Sequence, residues 1–181
     1  MKLWSGLKGF SMKIYISSFY NVRFFTSNMI PIGTAGNWPF WIYQHYNQPK
    51  ESIFFNENNV LLGMKEKLFA DSHHIIDDLT EMCGEKPCPY LEKVPHCQFM
   101  DKYYAYLCEH DFPAFMTRLN ETAAYIRNLT HFEGEAIIVL LVYESEKCIC
   151  AERPCIKQWF ADNGYELKEW NKSLLSEGDI F

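Results

Sequence analysis

At 181 residues, with 48% hydrophobic and 17% aromatic residues against 22% charged, the chain has the composition of one packed globular domain rather than a disordered segment. Its formal net charge of -6 excludes the broad basic surface that sequence-independent binding to duplex DNA requires. No apolar run reaches the length of a membrane-spanning helix, and seven cysteines without a secretory pattern point to a reducing, cytoplasmic setting.

Residues 1–11 carry no regular pattern and read as an extension outside the core, so a single domain is expected over 12–181. Lys13 to Phe19 has the β-branched and aromatic content of a strand, and Met29 to Gly33 of a second, which Pro31 is expected to confine to an edge or a bulge. Thr34 to Lys50 mixes Gly, Pro and Asn with Trp38, Trp41, Tyr43 and Tyr46, the pattern of a structured loop whose rings either pack as a lid over the core or stack a nucleobase. The stretch of about 51–111 reads as a helical and irregular insertion. Within it, Val60, Leu61, Met64 and Leu68 have helical spacing over Asn59 to Ala70, and a further helix is predicted over Ser72 to Cys83. The prolines of Glu85 to Cys97 predict an irregular connection, and a helix follows over Gln98 to Cys108.

Phe112 to Leu129 is the clearest helix: Phe112, Phe115, Met116, Leu119, Ala123 and Ile126 recur on one face, Asp111 can cap it, and Pro113 fits its first turn. Ala136 to Tyr143 is a continuous apolar strand of the kind buried on both faces of a parallel sheet. A helix over Pro154 to Asn163 and a strand over Tyr165 to Trp170 complete the order strand, loop, helix, strand. The expected fold class is therefore α/β, with a mostly parallel central sheet and helices on its faces.

The loop between the apolar strand and the last helix concentrates unlike polar groups: Glu144, Glu146, Lys147, Cys148, Cys150, Glu152 and Arg153. It leaves the carboxyl end of a strand and enters a helix N-terminus, where free backbone N–H groups and the dipole favour an anion or a thiolate. Glu144, Cys150 and Glu152 are the catalytic candidates, the carboxylates as acid or base and the thiol as a low-pKa nucleophile or ligand contact. Arg153 supplies a two-pronged donor for a phosphate or carboxylate, and Ser17, Ser18, Tyr20, Asn21 and Tyr143 complete the expected ligand-binding set. The bland alternative is that Glu152 and Arg153 only cap and solvate a helix start while the cysteines fill space. A phosphatase-type cysteine loop does not fit, because the Cys148-to-Arg153 spacing is too short and no glycine is present to form a tight cradle.

KIYISSFYNVRFF with the following MIPIGTA, and IVLLVYESEKCICAERPCIKQWFADNGYELKEW, resemble the family filed as domain of unknown function 488, found in bacteria and their phages. The matching residues are Tyr143, Glu144, Cys150, Arg153 and Trp159. Many members carry Cys-His-Arg, whereas this chain reads Cys150-Ala151-Glu152-Arg153, a Cys-x-Glu-Arg variant without the imidazole. The resemblance implies a Rossmann-like three-layer α/β sandwich and brings no settled activity.

Two functions from different classes fit these residues. One is a pocket for a small anionic or nucleotide-like ligand, with Glu144 placed for glycosidase or glycosyl-transfer chemistry. The other is a phage or bacterial interaction factor that occupies a host protein through an aromatic surface containing Trp38 and Trp41. No cofactor is assigned. Cys83, Cys88, His96 and Cys97, with Cys108, form a loosely spaced alternative zinc set that lacks paired knuckles, so no metal ligand is named.

Overall fold

The computed structural model describes residues 12–35, 38–39, 41–42, 46–50, 53–56, 61–70, 98–143 and 151–172. Residues 1–11, the predicted helix at 72–83, the connection at 85–97 and the loop positions 144–150 lie outside them. In chain order the described elements are β1 (Met12–Ser18), a 3-10 helix (Phe19–Phe24), β2 (Met29–Gly33), β3 (Tyr46–Lys50), β4 (Ile53–Asn56), β5 (Leu61–Lys65), α1 (Lys67–Ala70), α2 (Gln98–Cys108), α3 (Phe112–Thr130), β6 (Ala136–Val142), α4 (Glu152–Asp162) and β7 (Lys168–Glu169).

All strands join one sheet in the order β3-β4-β5-β2-β6-β1-β7. The pairs β5–β2, β2–β6, β6–β1 and β1–β7 are parallel, and β3–β4 and β4–β5 antiparallel. The fold is mixed α/β. β6 lies in the middle of the five parallel strands with every residue buried, as an unbroken apolar strand covered on both faces must. Successive side chains of a strand point to opposite faces, and β6 divides accordingly. Ala136, Ile138, Leu140 and Val142 join one apolar cluster with α2, α3 and α4; Ile137, Val139 and Leu141 join another with Phe19, Val22, Trp38, Ile42 and Trp170.

This division fixes how the chain winds. Crossings towards the β3 edge, β1 to β2 and β2 to β3, run over the Trp38 face, whereas crossings back, β5 to β6 and β6 to β7, run over the α3 face. Reversing both direction and face preserves handedness, so all four parallel crossovers share one hand, in keeping with the near-universal rule for such units.

On the α3 face, burial of Phe112, Phe115, Met116, Leu119, Ala123 and Ile126 anchors the longest helix, each large side chain contributing about 1.5–3 kcal/mol. The Asp111 carboxylate accepts from the Ala114 N–H at 3.0 Å, as its capping role predicts. The helix stops where His131 takes a left-handed conformation at φ 53°. Trp159 of α4 meets Phe112 and Phe115 at 4.9 and 5.2 Å between ring centroids. Tyr104 of α2 donates to Asp162 at the end of α4, and the Cys155 thiol lies 3.4 Å from the Met100 carbonyl, so α2 and α4 are tied at two points.

Four expectations are corrected. Thr34 to Lys50 is not loop throughout, because Tyr46–Lys50 is strand β3, paired with β4. The helix predicted over Asn59 to Ala70 is not found in its described part: Leu61–Lys65 is strand β5, followed by the single turn α1. The stretch 51–111 is not wholly helical and irregular, since β4 and β5 within it extend the sheet. Pro31 sits in an interior strand, with all of β2 buried. The backbone explains how this is tolerated. Asn28 O bonds Ile137 N and Thr34 N bonds Leu141 O, so even-numbered residues of β2 turn their polar groups to β6 and odd-numbered ones to β5. The missing N–H of Pro31 therefore faces β5, whose pairing with β2 starts only at Ile32.

Candidate functional site

The two directions of winding part at β6. The described residues that follow β1 and β2 pack on the Trp38 face, while α4, the helix that follows β6 between them, packs on the α3 face. The carboxyl end of β6 is thus flanked on both sides by connections that diverge, the position at which open α/β sheets form ligand crevices.

Beside it, the end of β1 is tied down by a polar relay. The buried Ser17 hydroxyl donates to the Trp170 carbonyl at 2.6 Å, and the Asn21 side-chain amide donates to Ser17 Oγ at 2.8 Å and to the same carbonyl at 3.4 Å. Trp170 N in turn bonds Ile16 O at 2.8 Å, which holds β7 against β1. On the other side of β6, Thr34 donates both its N–H and its hydroxyl to Leu141 O, at 3.1 and 2.9 Å. These bonds tie β1 to the segment after β7, and β6 to the segment after β2, at the carboxyl edge.

Aromatic rings stand along this edge. Tyr143, the residue after β6, is 50% exposed, with its ring 5.0 Å from Phe19. Tyr20 is 64% exposed and lies 6.2 Å from Trp41, while the Arg23 guanidinium sits 5.8 Å over its ring. Beneath them Trp38 is fully buried and packs edge-on against Phe19 at 5.5 Å. Trp38 is therefore core, and cannot serve as the exposed half of an interaction surface; Trp41 and Tyr20 occupy the rim instead.

Ser17, Ser18, Tyr20, Asn21 and Tyr143 accordingly gather at the ends of the adjacent strands β1 and β6. Glu152 is half-buried in the first turn of α4, where Ala151 is the N-cap and makes no side-chain capping bond. Arg153, with its side chain only 3% exposed, forms an ion pair with Glu169 of β7, and Lys157 reaches the other oxygen of that carboxylate at 3.4 Å. The helix start is thus locked to the edge strand by Arg153, one turn before Lys157. Glu144 and Cys150 lie outside the described residues.

Sequence reasoning missed Glu169, Trp170 and Thr34. Glu169 lies two residues after the buried Leu167 and shares its face, towards α4, but a strand of two residues gives no periodicity from which to read this. Among the described residues no group of three or more His, Cys, Asp or Glu is placed to hold a metal ion; Cys108 is exposed, and the remainder of the alternative zinc set lies outside them. No helix among the described residues is long and apolar enough to cross a membrane.

Comparison of the chain with protein-family models, with curated proteins and with solved structures finds no match.

Proposed function

We propose that the carboxyl edge of β6 is a pocket for a small anionic, nucleotide-like ligand, acting in the cytoplasm on a glycosidic bond by hydrolysis or transfer. The observation that carries this reading is the reversal of winding at β6, with the exposed rings of Tyr20 and Tyr143 beside it. In this reading the tyrosines take the planar ring, the backbone N–H groups that open α4 take the anion, and Glu144 acts as acid, base or nucleophile. Cys150 and Glu152 border the same loop, and Arg153 contributes by holding the start of α4 as well as by its charge. The finer architecture we infer is a Rossmann-like three-layer sandwich in which the 3-10 helix with Trp38, Trp41 and Ile42 forms a reduced third layer. Kinship with the domain of unknown function 488 family belongs to the same proposal; what supports it is the succession of an apolar strand, Tyr143, Arg153 and Trp159.

The test is the native mass of the purified protein set against its denatured mass, followed by turnover assays on nucleosides and nucleotides. The expected result is excess mass of a nucleotide-sized compound, or turnover lost in Glu144→Gln. A bare mass together with no turnover contradicts it. Exposed Tyr20 beside Trp41 favours a second reading, a phage or bacterial factor that occupies a host protein. That reading predicts that Tyr20→Ala and Trp41→Ala abolish cellular activity while Glu144→Gln and Cys150→Ser leave it intact.

A further inference from the structure

The polarity of the relay at the end of β1 can be worked out atom by atom. The Trp170 carbonyl can only accept, so the 2.6 Å contact consumes the single proton of the Ser17 hydroxyl. Ser17 Oγ is left as an acceptor, and the side chain 2.8 Å from it must present a donor. This fixes the Asn21 amide: its NH2 group faces Ser17 and the Trp170 carbonyl, and the rotated alternative would set two acceptors against each other. Ser17 is fully buried and Trp170 is core, so this orientation is imposed from beneath. Asn21 is half-buried, and its remaining polar atom, Oδ1, has no hydrogen-bond partner among the described residues.

Resting on the crevice reading above, we infer that Asn21 Oδ1 is a specificity-determining acceptor that reads an N–H donor on the ring of the ligand, and that Ser17 is its positioning residue. Asn21 follows directly on Tyr20, whose exposed ring belongs to the same rim. A stacking ring next to a residue with a fixed acceptor matches a nucleobase with an exocyclic amine, such as adenine or cytosine, because the ring contact tolerates any base and the acceptor alone distinguishes among them. The amide is oriented before the ligand arrives, so no reorganisation offsets the new bond.

Binding of AMP and of CMP is measured by calorimetry, each against the analogue whose exocyclic amine is replaced by hydrogen. The wild-type chain is expected to prefer each amine-bearing nucleotide by about tenfold, the worth of one well-placed hydrogen bond. Asn21→Ala is expected to bring each ratio to near one while both partners still bind. Ser17→Ala is expected to lower the ratio by releasing the amide to rotate, with a thermal unfolding profile of the variant recorded as the check that the chain is folded. Equal affinities within both pairs in the wild type, or a preference that survives Asn21→Ala, overturn the assignment of Asn21 and leave the crevice standing. Failure of all four nucleotides to bind overturns the crevice reading itself and this inference with it.

Discussion

Gly33→Ala perturbs the layer on which the carboxyl edge rests. A Cβ at this position meets three atoms of the Trp38 indole, the farthest at 2.9 Å, closer than real Cβ contacts allow. Neither partner can retreat. Gly33 is held in the sheet, its carbonyl accepting from Glu66 N at 3.0 Å, and the buried indole is pressed on the same face against Gly63 as well, where a Cβ would lie 2.9 Å from Cη2. Gly33 and Gly63 are thus glycines for close approach, and the indole lies across both. Overpacking of this kind costs about 1–3 kcal/mol, and with two constrained partners the upper part of that range is expected, about 2–3 kcal/mol. For a domain of this size that lowers Tm by roughly 5–10 °C. Urea unfolding followed by circular dichroism gives the value directly. Trp38→Ala removes the ring atoms that the new methyl group meets, so in the double variant the two costs should fall short of their sum by about 1 kcal/mol or more. Strict additivity, or a Gly33→Ala chain within about 0.5 kcal/mol of wild type, refutes the packing account.

Other positions give further tests. Arg153→Met leaves Glu169 without its buried counter-charge but still beside Lys157, so about 3 kcal/mol of stability should be lost, and Arg153→Met with Glu169→Leu should recover more than half of it in the same urea assay. Asp111→Ala removes the cap of α3 and should cost about 1 kcal/mol. Tyr104 has its pKa raised above the ordinary 10.0, chiefly by its hydrogen bond to Asp162 and secondarily by one to Cys108. The folded state holds that proton more tightly than the unfolded one, so its contribution is complete below pH 10.0 and is lost as pH rises beyond it; Tyr104→Phe should flatten this alkaline loss in thermal melts. Tyr143→Ala should weaken binding of AMP or CMP by about fivefold or more, the worth of one base–ring stack, with little change in Tm.

The elements legible in the sequence are those whose local pattern and tertiary environment agree. α2 and β2 have the predicted bounds, and α3 and β6 differ from them by a single residue at their ends, because a one-sided helical stripe and an unbroken apolar strand have few other folds open to them. β5 was not legible: Val60, Leu61, Met64 and Leu68 satisfy helical spacing, and what makes the segment a strand is the approach of Gly63 to Pro31 and Trp38, a contact between distant parts of the chain. The interior place of Pro31 depends likewise on where β5 begins to pair. At the candidate site, the gathering of Ser17, Asn21 and Tyr143 followed from reading β1 and β6 as strands, since their ends then coincide. The pairing of Arg153 with Glu169 required the register of β7, a two-residue strand that no periodicity can set.

The central claim is that ligand binds where the winding reverses at β6. Backbone amide shifts of the labelled protein, followed by NMR as AMP or CMP is added, test it most directly. The account predicts that the perturbed residues are Tyr20, Asn21, Thr34, Tyr143 and Ala151, at the carboxyl ends of β1, β2 and β6 and the start of α4. No perturbation at millimolar nucleotide, or perturbation confined to the far edge at β3 and β4, contradicts it.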